Sequence, residues 1–170
     1  MRVEIVHLFA SPGHNFVGHY GQKPGTHPMD DRDAVECVAG RGIRGDRYFE
    51  KQPGGEGQVT FFAFEVHEDL SIRLAMEPVA PSVYRRNIVV RGVDLNALIG
   101  RRFEMQGVEF EGTEESKPCL WMDQAFGPGA KEALRGRGGL RARVLRGGTL
   151  KKGWSDLRLL GEQPMERAAS

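Results

Sequence analysis

The chain has 170 residues, of which 39% are hydrophobic, so it is long enough for one buried core and short for two domains. Its 24 Lys and Arg nearly balance its 23 Asp and Glu, which gives no overall charge typical of nucleic-acid or membrane binding. No stretch reaches the roughly 18 apolar residues of a membrane span, and no apolar signal segment follows Met1. We therefore expect a cytoplasmic protein with one domain over residues 1–160 and a flexible tail over 161–170.

The predicted elements of the first half are strands, a long loop and one helix. Apolar patterning predicts strands at Val3–Phe9 and Ala34–Val38. The loop between them, from Ala10 to Asp33, is long for a compact domain, which is typical of a functional lid or a disordered segment. A strand at Gln58–Phe62 precedes the main helix, which is predicted at Phe64–Met76 because a proline follows soon after.

The second half of the chain predicts more short strands, beginning with Asn87–Val90. Two hairpins are expected around turns that contain glycine. They join Phe103–Met105 to Val108–Phe110 through Gln106-Gly107, and Ala142–Leu145 to Thr149–Lys151 through Gly147-Gly148. Together with 23 glycines, found mainly between β-branched runs, this pattern predicts a mainly β fold with small helices, in which antiparallel hairpins form a closed β-barrel.

The segment Lys117-Pro118-Cys119 is the strongest candidate for chemistry. Proline fixes the backbone before Cys119, and Lys117 would favour the thiolate, the form that binds soft metals or attacks electrophiles. The alternative is that Cys119 is a small buried hydrophobic residue, which is common for a single cysteine. The other cysteine, Cys37, lies inside an ordinary predicted strand and is interpreted as structural.

The segment from Lys131 to Lys152 is strongly basic, with eight Lys or Arg residues against one acidic residue, Glu132. Within it, Arg135, Arg137 and Arg141 flank glycines whose backbone N–H groups can approach an anion, which suits a phosphate. A solvated surface loop is the alternative, and Arg-Gly runs also occur in RNA-binding segments. Because few aromatic residues lie nearby, a base-stacking surface for RNA has little support.

Two further groups of polar side chains are candidates for ligand contact. The segment Tyr84-Arg85-Arg86-Asn87 leads into a predicted strand with two guanidiniums and an amide, which would bind a ligand or pair with acidic side chains of a neighbouring strand. The long loop contains His14, His19 and His27, for which we expect contact with a substrate. The alternative is a metal site that includes nearby aspartates, but histidine separations of five and eight residues match no zinc template.

Five motifs agree in order and spacing with one protein family over about Val3 to Gly153. They are Gly42-Ile43-Arg44-Gly45-Asp46-Arg47, Gln58-Val59-Thr60, Arg85-Arg86-Asn87-Ile88, Lys117-Pro118-Cys119 and the segment from Arg135 to Val144. Together they resemble a stand-alone MOSC domain, the family named after the C-terminal domain of molybdenum cofactor sulfurases. The pair Gly153-Trp154 and the histidine-rich loop depart from the family pattern. The resemblance implies a MOSC-type β-barrel with small helices.

The resemblance also implies a cofactor, molybdopterin with its molybdenum, and the residues that bind it. The Cys119 sulfur would ligate the metal, consistent with a soft thiolate ligand. Arg85, Asn87 and Lys117 would hold the rest of the cofactor. The residues implied to meet its phosphate are Arg135, Arg137 and Arg141.

The predicted function is that of a molybdenum-dependent oxidoreductase that reduces a small N-hydroxylated or otherwise N-oxygenated substrate. The chain has no dinucleotide fingerprint and no haem or iron–sulfur motif, so we expect electrons from a flavoprotein or ferredoxin-type donor that docks on the basic segment. One alternative is a sulfur carrier, in which a pyridoxal-phosphate-dependent cysteine desulfurase forms a persulfide on Cys119. A second alternative is a non-enzymatic barrel that binds RNA.

Overall fold

A computed structural model describes residues 1–15, 23, 25–51, 53–74 and 77–161 of the chain. The described strands are β1 (Arg2–Ala10), β2 (Asp30–Asp31), β3 (Ala34–Val38), β4 (Gly42–Ile43), β5 (Val59–Ala63), β6 (Ile88–Arg91), β7 (Arg102–Met105), β8 (Val108–Glu115), β9 (Leu140–Arg146), β10 (Gly148–Lys151) and β11 (Gly153–Leu159). The helices are α1 (Phe64–Arg73), α2 (Leu120–Ala125) and α3 (Ala130–Ala133), with 3-10 helices at Pro81–Tyr84 and Leu95–Leu98. None of the helices in these ranges is long and apolar enough to cross a membrane.

Seven strands form a closed barrel, which confirms the predicted fold class. Around the barrel the strands follow the order β1, β11, β7, β8, β9, β5 and β6, and β6 pairs again with β1. The neighbouring strands are antiparallel except for β5 and β6, which run parallel. A parallel pair needs a crossover connection, and here that connection contains α1 and the first 3-10 helix.

One of the two predicted hairpins is confirmed and the other is wrong. Between β7 and β8, Gln106 and Gly107 have φ values of 50° and 81°, as a type I′ turn requires. In contrast, β10 does not return along β9 but pairs with β3 in a separate sheet of β10, β3 and β4. Neither Gly147 nor Gly148 has a positive φ, and a Cβ on Gly147 would lie 2.7 Å from the Cys37 carbonyl oxygen. Gly147 therefore serves close packing on β3.

Two other predicted elements are shorter in the structure than the sequence indicates. The main helix, α1, ends at Arg73 with Leu74 as its C-cap, and the last two predicted helical residues lie outside the described ranges. The long loop after β1 is interrupted by β2, which pairs with Phe9 and Ala10. The part of the predicted tail beyond residue 161 also lies outside the described ranges.

Strand β5 contributes to two hydrophobic cores because its alternate residues point to opposite faces. Inside the barrel, Phe61 packs with Phe103 and Phe110, and the ring centroids are 5.2 to 5.6 Å apart. Outside it, Phe62 stacks on Tyr84 at 4.2 Å in a second core that includes residues of α1, α2 and α3. The outer face of β5 continues from this second core towards Thr60 and Gln58, where the candidate site lies.

Candidate functional site

A basic cavity of about 540 Å³ lies against Thr60 and Gln58. Its volume is within the range of small-molecule and cofactor sites. Five basic and two acidic side chains are among those that line it. The basic residues are Arg47, Lys51, Arg85, Arg86 and Arg141, and the acidic residues are Glu56 and Glu114. The excess of positive charge favours an anionic ligand.

Arg85 holds the loop after β1 beside the cavity through hydrogen bonds. Its backbone is left-handed, with a φ of 55°, at the end of the first 3-10 helix. Its guanidinium donates to the Ser11 hydroxyl at 3.0 Å and to the carbonyl oxygens of Gly13 and His27 at 2.6 and 2.9 Å. Burial and the nearby positive charge of Arg47 lower the pKa of Arg85 to about 10, so the side chain remains charged at neutral pH.

Arg86 connects the cavity to the turn that carries Cys119. Its guanidinium donates to the carbonyl oxygens of Tyr84 at 3.3 Å, Ser116 at 3.0 Å and Gly138 at 3.1 Å. Burial lowers the pKa of Arg86 to about 10, while the anionic form of the nearby Cys119 side chain would raise it. The sequence offers the Arg86 guanidinium as a candidate for ligand contact, but Arg86 was not among the residues predicted to hold the cofactor.

Neither of these two guanidiniums has a carboxylate partner within the described ranges. By contrast, Arg47 pairs with Asp46 at 3.2 Å and Arg141 pairs with Glu114 at 3.0 Å. A buried charge that meets only neutral groups is destabilising, and an anion brought close to it offsets that cost. The cavity therefore carries two charges that an anionic ligand would neutralise.

Cys119 ends a turn that packs tightly against Gly138. The thiol-bearing residue is half-buried and is the N-cap of α2, with an extended backbone at φ −123° and ψ 179°. A Cβ on Gly138 would lie 2.4 Å from the Ser116 carbonyl oxygen and 2.8 Å from the Pro118 Cδ. Among the described residues that line the cavity, Ser116 is the nearest to Cys119 along the chain. The turn thus holds the thiol beside the cavity rather than in its wall.

The other cysteine, Cys37, is buried in the barrel core, in agreement with the structural interpretation. Burial raises its pKa to about 12, so the thiol stays protonated and cannot act as a thiolate near neutral pH. Of the two cysteines, Cys119 alone is partly exposed.

His14 lies at the edge of the cavity. Its Nε2 is 3.0 Å from the Lys51 Nζ, and its ring meets the Tyr48 ring edge-on with centroids 5.0 Å apart. Both of these neighbours line the cavity. Burial, followed by the positive charge of Lys51, lowers the pKa of His14. His14 therefore borders the cavity without being one of its lining residues.

Of the other two histidines of the loop, only His27 lies within the described ranges. The His27 ring lies against Gly13. The His27 backbone N–H and carbonyl oxygen form hydrogen bonds with the Asn15 side-chain amide. His19 lies outside the described ranges. In the part of the chain that the structure describes, no three His, Cys, Asp or Glu side chains are grouped to hold a metal ion.

Comparison with known proteins identifies the family. The profile described as the MOSC domain matches residues 27–155, about three quarters of the chain. The chain belongs to the MOSC domain family. A comparison with curated proteins found no match.

Solved structures agree with this assignment at the level of the fold. The YuaD protein from Bacillus subtilis is similar at a TM-score of 0.72 and 19% identity, over 96% of this chain and 98% of that one. YiiM from Geobacillus stearothermophilus is similar at a TM-score of 0.68 and 16% identity, over 94% and 75% of the two chains. YiiM from Escherichia coli gives a TM-score of 0.64 and 15% identity, over 96% and 71%.

Two of the residues implied to hold the cofactor lie outside the cavity wall of this MOSC domain. Asn87 is buried, and its Oδ1 accepts hydrogen bonds from the backbone N–H and the hydroxyl of Thr60. Its Nδ2 donates to the Phe9 carbonyl oxygen at 3.2 Å, so the amide holds β1, β5 and the entry to β6 together. Lys117 is exposed, in the turn before Cys119.

Arg135 and Arg137 also lie apart from the basic cavity. The Arg135 side chain is 77% exposed and pairs with Glu132 at 2.7 Å. Arg137 pairs with Asp69 of α1 at 2.6 Å and lines a smaller cavity of about 320 Å³. The structure therefore brings together Arg85 and Arg141 from the predicted cofactor residues, and adds Arg47, Lys51 and Arg86.

The basic strand β9 is neutralised by its neighbour β8. Glu109, Glu111 and Glu114 of β8 each lie within 3.0 Å of an arginine of β9. The partners are Arg146, Arg143 and Arg141 in that order. These cross-strand ion pairs remove much of the local excess charge that the sequence shows in this segment.

Proposed function

We propose that this MOSC domain binds the molybdenum cofactor and serves as a reductase of small N-oxygenated compounds. The observation that carries the proposal is that the guanidiniums of Arg85, which is buried, and of Arg86, which is half-buried, meet only neutral groups within the described ranges. A ligand with anionic and polar parts would neutralise them, and Arg86 ties that binding surface to the turn of Cys119.

The residues present fit this cofactor in their chemistry. Cys119 offers a soft sulfur donor, which suits molybdenum, and the basic cavity offers donors for a pterin and its phosphate. When bound, the cofactor would supply the two-electron chemistry that removes oxygen from the substrate. The chain's own contribution is to aim the thiol, through Pro118 and the close approach of Gly138, and to hold the ligand with fixed guanidiniums.

The test is the molybdenum content of protein produced in a host that makes the cofactor. We expect metal in the wild type and in Cys37→Ala, and none in folded Cys119→Ala, because the turn cysteine supplies a metal bond and little packing. Circular dichroism would establish that each variant is folded. A wild type without molybdenum, or a folded Cys119→Ala that keeps it, would refute the proposal.

A sulfur carrier is the second candidate, and the position of Cys119 favours it specifically. The residue is half-buried and lies beside the cavity, so a partner enzyme would be able to reach the thiol. Incubation with a cysteine desulfurase and free cysteine, followed by mass spectrometry, would then detect one added sulfur atom on Cys119. That result in a protein that retains no molybdenum would favour the carrier over the reductase.

A further inference from the structure

The smaller cavity, of about 320 Å³, lies between the start of α1 and the 3-10 helix Leu95–Leu98. None of the described residues that line it also lines the basic cavity. Its volume is near the lower end of the range for small-molecule sites, about 300–1,000 Å³. The smaller cavity is therefore separate from the proposed cofactor site and large enough for a small organic ligand.

The floor of the smaller cavity is apolar and lies where the two hydrophobic cores meet. Ala63 and Val93 pack against the barrel core, and Leu95 is a buried member of that core. Val66 packs against the second core. All four side chains line the cavity. Because burial of apolar surface is favourable, this floor favours a ligand with a hydrocarbon part.

The rim of the smaller cavity carries two carboxylates, those of the exposed residues Glu65 and Asp94. One oxygen of each is fixed by a backbone N–H. Glu65 Oε1 accepts a hydrogen bond from Gly92 at 2.7 Å, and Asp94 Oδ1 accepts one from Asn96 at 3.0 Å. Since Gly92 precedes Asp94 by two residues, the same loop holds both carboxylates. Within the described ranges, neither carboxylate forms an ion pair.

The positive groups near the smaller cavity are engaged by other acidic side chains. Arg137 lines the cavity, but its Nη1 lies 2.6 Å from the carboxylate of Asp69, which is not a lining residue. Arg91 lies near Glu65 but pairs with Glu68 at 3.0 Å. The N-terminus of α1 adds a partial positive charge of about 0.5, which is smaller than the two full charges of the carboxylates. The rim therefore keeps an excess of negative charge, which favours a cation.

We propose that the smaller cavity binds a small organic cation, an ammonium or amidinium group carried on a hydrocarbon body. The cationic group would lie between Glu65 and Asp94, where charge-assisted hydrogen bonds would reach the second oxygen of each carboxylate. The hydrocarbon body would lie on Val66, Val93 and Leu95. This inference goes beyond the proposed function and does not depend on it.

A metal ion fits the smaller cavity less well than an organic cation does. The apolar side chains of the floor supply no oxygen ligands, which magnesium and calcium require. In the described part of the chain, no three His, Cys, Asp or Glu side chains are grouped to hold a metal ion. The apolar floor would instead be covered by the body of an organic ligand.

Titration of the wild-type chain with benzamidinium at low ionic strength, followed by ¹H–¹⁵N NMR, tests the site. We expect chemical-shift changes centred on the amides of Val66, Val93 and Leu95. Benzamide keeps the ring without the charge and should bind roughly threefold or more weakly. Methylammonium keeps the charge without the ring and should bind roughly tenfold or more weakly, because it buries little apolar surface.

Two amide variants isolate the contribution of the carboxylates. Glu65→Gln and Asp94→Asn each remove one charge but keep an oxygen that can accept the backbone hydrogen bond, so both should fold. Each should weaken benzamidinium binding by roughly two- to fivefold, as expected for an exposed ion pair, and the double variant by about tenfold. Glu132→Gln and Asp33→Asn are matched controls because these exposed carboxylates lie outside the cavity lining. Both controls should bind benzamidinium as the wild type does.

Three results would overturn the inference. The first is a wild type whose cavity amides do not shift with millimolar benzamidinium. The second is equal binding of benzamide and benzamidinium, or equal binding by the double variant and the wild type, which would show that the carboxylates recognise no cation. The third is Mg²⁺ or Ca²⁺ that shifts the same amides and displaces benzamidinium, which would identify a metal site. Weaker binding of benzamidinium as salt increases would support the inference, because salt screens an ion pair at an exposed rim.

Discussion

Replacement of Gly138 by alanine tests whether the close approach of two backbone segments aims Cys119. Gly138 has no positive φ, so its backbone accepts alanine and the effect of Gly138→Ala is purely steric. The added Cβ would lie 2.4 Å from the Ser116 carbonyl oxygen, so that atom must move by about 0.6 Å to restore a 3.0 Å contact. The same oxygen accepts a hydrogen bond from Arg86, so the shift should disturb both the turn and the guanidinium.

The expected cost in stability is about 1–3 kcal/mol, as for other substitutions that overfill a packed site. Gly136→Ala is the matched control, because Gly136 has a φ of 77° and nothing lies within 4 Å of its added Cβ. Its backbone strain should cost roughly 1–2 kcal/mol, a similar amount. A typical domain stability of about 5–15 kcal/mol leaves both variants folded. The two variants therefore differ in the position of the turn and not in stability.

The assay combines denaturant unfolding with the molybdenum content of protein from a host that makes the cofactor. Gly138→Ala should lose most of the metal, since displacements of this size at a functional group cause large losses, while Gly136→Ala should keep it. Wild-type molybdenum content in Gly138→Ala would contradict the idea that this contact positions the thiol. Equal losses in both variants would point to destabilisation instead.

Three further predictions concern the cavity, the second core and the electron supply. Arg85→Ala should retain less molybdenum than Arg135→Ala in elemental analysis, because only Arg85 is a buried cavity residue; equal retention would contradict this. Burial lowers the pKa of His67 below its ordinary 6.5, so the unfolded chain binds the proton more readily and stability should fall as pH drops through 6.5 and below. Denaturant unfolding at several pH values should show this decrease reduced in His67→Gln, and an identical pH profile would exclude the mechanism. Cofactor-loaded protein should not reduce an N-oxygenated compound with NADH or NADPH alone, whereas an added flavoprotein should restore turnover in a reconstituted assay.

The parts of the fold that local sequence determines were predicted, and those that depend on distant pairing were not. Gln106-Gly107 specifies a two-residue turn by its own backbone preference, so the β7–β8 hairpin follows from the sequence. Gly147-Gly148 carries the same local signal, yet β10 pairs with β3, more than 100 residues earlier. The difference between a hairpin and pairing with β3 comes from the tertiary packing of Gly147 on β3. No local sequence pattern specifies that packing.

The residues of the candidate site were likewise predicted where a local motif marks them and not where distant segments come together. Cys119 is identifiable because its Lys-Pro-Cys turn is a local motif, and the family resemblance adds weight to it. Arg86 was left out of the predicted cofactor residues because its place in the cavity arises only when the crossover between β5 and β6 brings the entry to β6 beside β5. Arg137, in contrast, lies in a local sequence that suits phosphate binding. In the structure it forms an ion pair with Asp69 of α1, and no sequence spacing predicts that contact.

Barrel closure between β1 and β11 joins residues that are far apart along the chain, such as Ile5 and Gly153. Such a long-range pairing is entropically expensive to form and is expected late in folding. The described residues that line the basic cavity lie between Arg47 and Arg141, so a ribosome synthesises them before β11. On a nascent chain, the components of the ligand-binding wall are therefore present while one edge of β1 is still unpaired and open to aberrant strand pairing.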